Sequence, residues 1–108
     1  MPVGREDQAR SFYGRVLGLQ EVPKPPGLAG REGCWFRAPG VELHLGVEEP
    51  FAPARKAHPA LIVEDLDALE YRLRESGHEV VPDTRLEGRR RFHSADPFGN
   101  RLEFLEGR

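Results

Sequence analysis

Asp96-Pro97-Phe98-Gly99-Asn100-Arg101-Leu102-Glu103-Phe104-Leu105 is the stretch from which the fold can be read. Its first five residues make a turn. Pro97 fixes φ, Gly99 and Asn100 tolerate positive φ, and Asp96 can hydrogen-bond its own backbone. The remainder alternates. Leu102 and Phe104 point to one face of a strand, and Arg101, Glu103 and Leu105 point to the other. Glu103 is the odd member, because a carboxylate midway along a half-buried strand is costly unless it finds a partner.

The rest of the chain supplies a setting for that strand. A length of 108 residues suits one domain with a modest core. With 38% hydrophobic and 31% charged residues the chain reads as soluble and globular. A formal net charge of -2, with both signs interspersed, argues against nucleic acid or an anionic membrane as partner. No apolar run approaches the roughly 20 residues of a membrane span. No signal-peptide pattern is visible. The lone Cys34 excludes an intramolecular disulfide, so a cytoplasmic location is expected.

Taken in order, residues 6–17 carry Ala9, Phe12, Tyr13, Val16 and Leu17 at helical spacing, with Gly18 as the stop. A short strand over 19–24 gives way to a proline-rich loop reaching Gly33. Strands over 34–37 and 41–45 follow, joined by the Ala38-Pro39-Gly40 turn. The second strand places Glu42 and His44 on one face and three aliphatic residues on the other. Residues 48–56 read as a linker. A buried-type strand over 57–63 leads to a second helix, capped by Glu64 or Asp65 and stopped by Gly77, with Leu66, Leu69 and Leu73 on one face. Strands over 78–82 and 89–94 precede the closing strand.

Two halves therefore share one grammar of helix, glycine stop, strand, strand, turn and a strand with a central glutamate. Gly18 and Gly77 are 59 residues apart, and Glu42 and Glu103 are 61 apart. The chain reads as two copies of a unit of about 60 residues. The second copy opens with the strand bearing His58, and the matching position of the first copy falls before Met1. The first copy is thus expected to lack its opening strand, with Val3 its last remnant. That predicts a shortened reading frame or a rearranged sheet edge.

The residues that carry a family resemblance are Phe12-Tyr13-Gly14-Arg15-Val16-Leu17-Gly18-Leu19, Val41-Glu42-Leu43-His44-Leu45, His58 with Val63-Glu64-Asp65-Leu66-Asp67-Ala68-Leu69, and Asp96 to Phe104. In this order and spacing the chain resembles the vicinal-oxygen-chelate superfamily of glyoxalases, bleomycin resistance proteins and dioxygenases. The resemblance implies an α+β fold of two βαβββ modules whose curled mixed sheets surround a concave cavity. A single domain over 1–108 would hold module one at about 1–47 and module two at about 57–108. It also implies a divalent metal (Zn, Ni, Co, Mn or Fe) in the enzymatic branches, and none in the ligand-sequestering bleomycin-resistance branch. His58, Glu103 and Glu42 match the family's ligand positions, and the fourth ligand, on the first strand of module one, has no counterpart. A homodimer with a shared site and a small-molecule ligand with vicinal oxygens are further implications.

Such a site would act as a lyase, isomerase, transferase or dioxygenase, with Glu103 and Glu42 as catalytic carboxylates. An open metal site polarises a substrate oxygen, and a carboxylate beside it can move a proton. If Phe92 packs under the helix, Arg91 and His93 face the cavity as substrate contacts, alongside His44 and Trp35. Plainer readings stand beside these. His58, next to Pro59, reads equally as an exposed polar residue at a strand start. Glu103 reads as an ion-pair partner of Arg101 or of an arginine in 89–91. His44 reads as a solvated residue, and Trp35 and Phe36 both read as core. Cys34 has no base-partnered motif, and no glycine-rich phosphate loop is present.

Overall fold

The computed structural model describes residues 1–30, 32–85 and 88–107. Arg31, in the expected proline-rich loop, and Arg108, at the end of the second copy, lie outside the described residues. The chain divides into two compact units, Met1–Ala52 and Pro53–Arg108.

The first unit opens with a helix, α1, that is α-helical over Glu6–Ala9 and continues with π-helical bonding over Arg10–Val16. The wider turn follows from Leu17 N–H donating to the Phe12 carbonyl at 2.9 Å, five residues back. It carries both Phe12 and Tyr13 into the core. Strands β1 (Gln20–Val22), β2 (Cys34–Ala38) and β3 (Val41–Leu45) form an antiparallel sheet in that order. Cys34 and Phe36 share its inner face, and the Tyr13 ring lies 5.6 Å from that of Phe36. Burial pushes the Cys34 thiol up, as befits a small core residue.

Beside the end of β3, Met1 pairs in parallel fashion. Its N–H donates to the Gly46 carbonyl at 2.7 Å, and Glu48 N–H donates to the Met1 carbonyl at 3.1 Å. Met1 is buried whereas Val3 is exposed, so the paired remnant is Met1 and not Val3 as expected.

The second unit holds β4 (Ala60–Val63), α2 (Leu66–Glu75), β5 (Val81–Pro82), β6 (Arg91–Ala95) and β7 (Arg101–Glu106). The sheet order is β4-β7-β6-β5, with β4 parallel to β7 and the other pairs antiparallel. Asp65 caps α2 by accepting from Ala68 N–H at 3.0 Å. Gly77, at φ +83°, ends it, and His78 N–H returns to the Leu73 carbonyl at 2.9 Å. The buried face of α2 is Leu66, Leu69 and Leu73, and the sheet buries Phe92, Leu102 and Phe104. The Phe92 and Phe104 rings lie 5.5 Å apart, a core pair worth more than its area alone. The expected strand over 78–82 is confined to Val81–Pro82, and that over 57–63 to Ala60–Val63. Among the described residues no helix is long and apolar enough to cross a membrane.

The turn before β7 is clasped by Asp96. Its Oδ1 accepts from Phe98 N–H at 2.9 Å and Asn100 N–H at 2.8 Å, and its Oδ2 from Asn100 Nδ2 at 2.7 Å. A buried carboxylate is thereby satisfied, and the register of β6 on β7 is pinned at its root.

Candidate metal centre

Strand pairing brings the key side chains together. Ala60 is opposite Glu103, and Glu103 is opposite His93, so the three form one row across β4, β7 and β6. His58 precedes Ala60 by two residues and shares its parity. Glu103 N–H donates to the Pro59 carbonyl at 3.1 Å, which extends the parallel pairing back to the neighbour of His58. With Phe92 and Phe104 turned to the core, Arg91, His93 and Glu103 occupy the opposite face.

His58 is held at both ring nitrogens. Nδ1 lies 2.7 Å from the Lys56 carbonyl oxygen, and Nε2 lies 2.8 Å from Oε1 of Glu103. A carbonyl oxygen only accepts, so Nδ1 carries a proton. In the neutral ring Nε2 is then a lone pair aimed at a carboxylate. Two acceptors in contact call for a positive charge between them, either a second proton on the imidazole or a metal ion. The other oxygen of Glu103 accepts from Arg91 Nη1 at 2.9 Å. Burial pushes the Glu103 carboxyl up, but His58 and Arg91 outweigh it and hold it below its ordinary value.

Arg91 also reaches Oδ2 of Asp83 at 3.1 Å. Asp83 lies just past β5, and its N–H donates to the Arg91 carbonyl at 3.1 Å, so it continues the ladder one step further. Its carboxylate takes the Arg85 guanidinium on both oxygens, at 3.0 and 2.8 Å, with Arg85 N–H at 3.0 Å and His93 Nε2 at 2.9 Å. Those donors, Arg85 first, hold Asp83 far below the usual carboxylate range.

The His58 and His93 rings meet edge to face, 5.5 Å apart at 79°. One donor atom from each of His58, His93 and Glu103 falls within 4.8 Å of the others. Among the described residues, the buried side-chain polar atoms without a partner are Arg89 Nη2, Arg91 Nε and His93 Nδ1. A cavity of about 500 Å³ adjoins His93, lined also by Val81, Asp83, Thr84, Arg85 and Arg101.

The remaining expected site residues belong to the first unit. Trp35 is opposite His44, and their rings stack 3.5 Å apart at 5°. Phe36 is core, while Trp35 is half-buried on the other face. Glu42 pairs with Arg37 at 3.1 Å and lies 3.5 Å from His44 Nε2. Arg37 above all, with His44 behind it, lowers its pKa against an opposing effect of burial.

The structure thus gathers His58, Glu103, Arg91 and His93 into one cluster, and groups Glu42, His44 and Trp35 in another. Glu103 makes the ion pair expected with an arginine of the 89–91 run and meets a histidine at its other oxygen. Asp83 and Arg85 are the members that sequence reading misses. They follow Pro82 in a segment with no period, where the alternation of β5 has already ended.

The sequence matches the model of the Glyoxalase/Bleomycin resistance protein/Dioxygenase superfamily over residues 1–104, and the chain belongs to that superfamily. A protein from Bacillus anthracis assigned to the glyoxalase family is 46% identical, with a TM-score of 0.94, covering 100% of this chain and 88% of that one. TnmS3, an antibiotic binding protein from Streptomyces sp. CB03234, is 24% identical, with a TM-score of 0.77 over 100% of this chain and 91% of that one. A lactoylglutathione lyase from Agrobacterium tumefaciens is 24% identical, with a TM-score of 0.73 over 99% and 89%. At that identity the last two share the fold. No curated protein sequence matches the chain. Superfamily membership makes a divalent metal relevant, and the residues present fit one. Two imidazoles and a carboxylate form a mixed nitrogen and oxygen donor set suited to Zn²⁺, Ni²⁺, Co²⁺, Mn²⁺ or Fe²⁺.

Proposed function

We propose that this protein binds a divalent metal through His58 and Glu103 and takes a small molecule with adjacent oxygens beside it, as a lyase, isomerase or dioxygenase of its superfamily. The observation that carries the reading is the convergence of one donor atom from each of His58, His93 and Glu103 within 4.8 Å of one another. When bound, the metal polarises a ligand oxygen and stabilises developing negative charge on it. The chain's own residues do the rest. Arg91 keeps Glu103 ionised and fixed in place. Arg101, on the cavity beside His93, supplies positive charge for an anionic ligand. Glu103 is the first candidate for moving a proton. Glu42, exposed between Arg37 and His44, is the second.

A second reading has its own support. The stacked Trp35–His44 pair offers a flat platform of the kind that holds planar ligands without reacting with them. The fold is shared with an antibiotic binding protein. On this reading His58 carries a second proton in place of the metal.

We also propose that the protein works as a cytoplasmic homodimer. The first sheet ends at β3 in the order β1-β2-β3, and open edges invite a second chain.

Elemental analysis separates the two functional readings. Protein purified without chelator is expected to carry stoichiometric metal, and His58→Ala and Glu103→Ala are each expected to lose it. Protein that stays metal-free after incubation with Ni²⁺, Zn²⁺ or Mn²⁺ rules out the first reading and leaves the second.

A further inference from the structure

We infer that His93 is the third ligand of this metal, through Nδ1, and that Asp83 is the positioning residue that prepares it. The inference rests on the metal reading above and adds to it a ligand and a location.

Three observations converge. The first is the His93 ring itself. Its Nε2 faces a carboxylate oxygen of Asp83 at 2.9 Å, and an ionised carboxylate only accepts, so Nε2 carries the proton. The neutral ring then presents a lone pair at Nδ1. The second is the state of that atom, which is buried and has no hydrogen-bond partner. A buried acceptor left unmade is expensive, and an ion at that atom would satisfy it. The third is position. His93 supplies a donor atom within 4.8 Å of those of His58 and Glu103, and it is the cross-strand neighbour of Glu103.

Asp83 does for His93 what the Lys56 carbonyl does for His58. Each fixes the tautomer by taking the proton of one ring nitrogen, and so frees the other for a metal. Asp83 is itself immobilised by Arg85 and Arg91, so the ring it holds has little freedom to turn away.

The consequence concerns where the site is built. His58, His93 and Glu103 all lie within Pro53–Arg108. With three ligands drawn from one unit, Glu42 is not required to hold the ion.

The test uses Co²⁺ alone, titrated into the chelator-stripped full chain and followed by visible absorption and calorimetry. The wild type is expected to bind one Co²⁺ per chain. His93→Ala should weaken binding on the order of 10- to 100-fold and change the absorption bands. Asp83→Asn should weaken it by roughly tenfold with the band pattern retained. Glu42→Gln should bind as the wild type does. If His58→Ala and Glu103→Ala lose Co²⁺ while His93→Ala binds normally, the inference fails and the metal reading survives. If the wild type binds no Co²⁺, both fail. Should His93→Ala not fold, long-range ¹H–¹⁵N spectra of the wild type serve instead. Added Zn²⁺ is expected to shift His93 Nδ1, and an unmoved resonance overturns the inference.

Discussion

Glu6 accepts the backbone N–H of Gly33 at 2.9 Å and so ties the first turn of α1 to the entry of β2. That N–H, with the carboxylate's own backbone N–H, holds Glu6 below its ordinary pKa. The unfolded chain, whose glutamates titrate near about 4.3, therefore takes up this proton first as acid is added. The stabilisation is fully present above that value and is lost as the pH falls below it. Glu6→Gln is accordingly expected to show a shallower fall in melting temperature between about pH 6 and about pH 3 than the wild type. Identical slopes would refute the assignment. Neither this tie nor the Asp83 hub can be read from the sequence. Both depend on a loop returning to a distant element, and a loop without a period gives no sign of where it returns. Glu103 and His58 were legible for the opposite reason. Each stands on or beside an alternating strand, where parity alone assigns its face. His93 was legible as a cavity-facing residue by the same parity. Its part as a ligand was not, because the bond that frees Nδ1 comes from Asp83.

At the scale of elements, the outlines of both helices and most strands follow from apolar spacing and glycine stops. The π-helical bonding of α1 does not, since spacing at 3.6 residues does not distinguish five-residue from four-residue hydrogen bonds. The alternation of the closing strand assigns its two faces, Leu102 and Phe104 on one and Glu103 and Leu105 on the other, but both faces are buried where the sequence suggests a half-buried strand. The sheet of the first unit carries a sharper constraint. Gly33 enters β2 at φ +96°, and a Cβ there would collide with the Leu45 carbonyl oxygen at the end of β3. Gly33→Ala must therefore strain the backbone and push two paired strands apart at once. We expect a loss of about 2–4 kcal/mol in urea unfolding, against no more than about 1 kcal/mol for a tolerated glycine replacement. A loss within that smaller range would show that β3 yields easily at this end.

For the whole molecule, repetition is the most informative signal in the sequence, because it sets Glu42 and Glu103 at equivalent places in two copies of one unit. The repeat does not give the two carboxylates the same surroundings. Glu103 is buried between a histidine and an arginine, and Glu42 is exposed beside an arginine and a histidine. The ring of His58 spans from Glu103, in the centre of a sheet, to the carbonyl of Lys56, in the exposed segment that leads into β4. Whatever cation sits at Nε2 therefore also stiffens that segment, and occupancy becomes visible to a protease. Trypsin cleavage after Lys56, measured by mass spectrometry relative to cleavage after Arg5 in the same digest, should slow when Zn²⁺ is added to the wild type and remain unchanged in His58→Ala. An unaltered ratio in the wild type would mean that the segment does not sense the site. A slowed ratio would make the peptide bond after Lys56 a gauge of occupancy that needs no substrate.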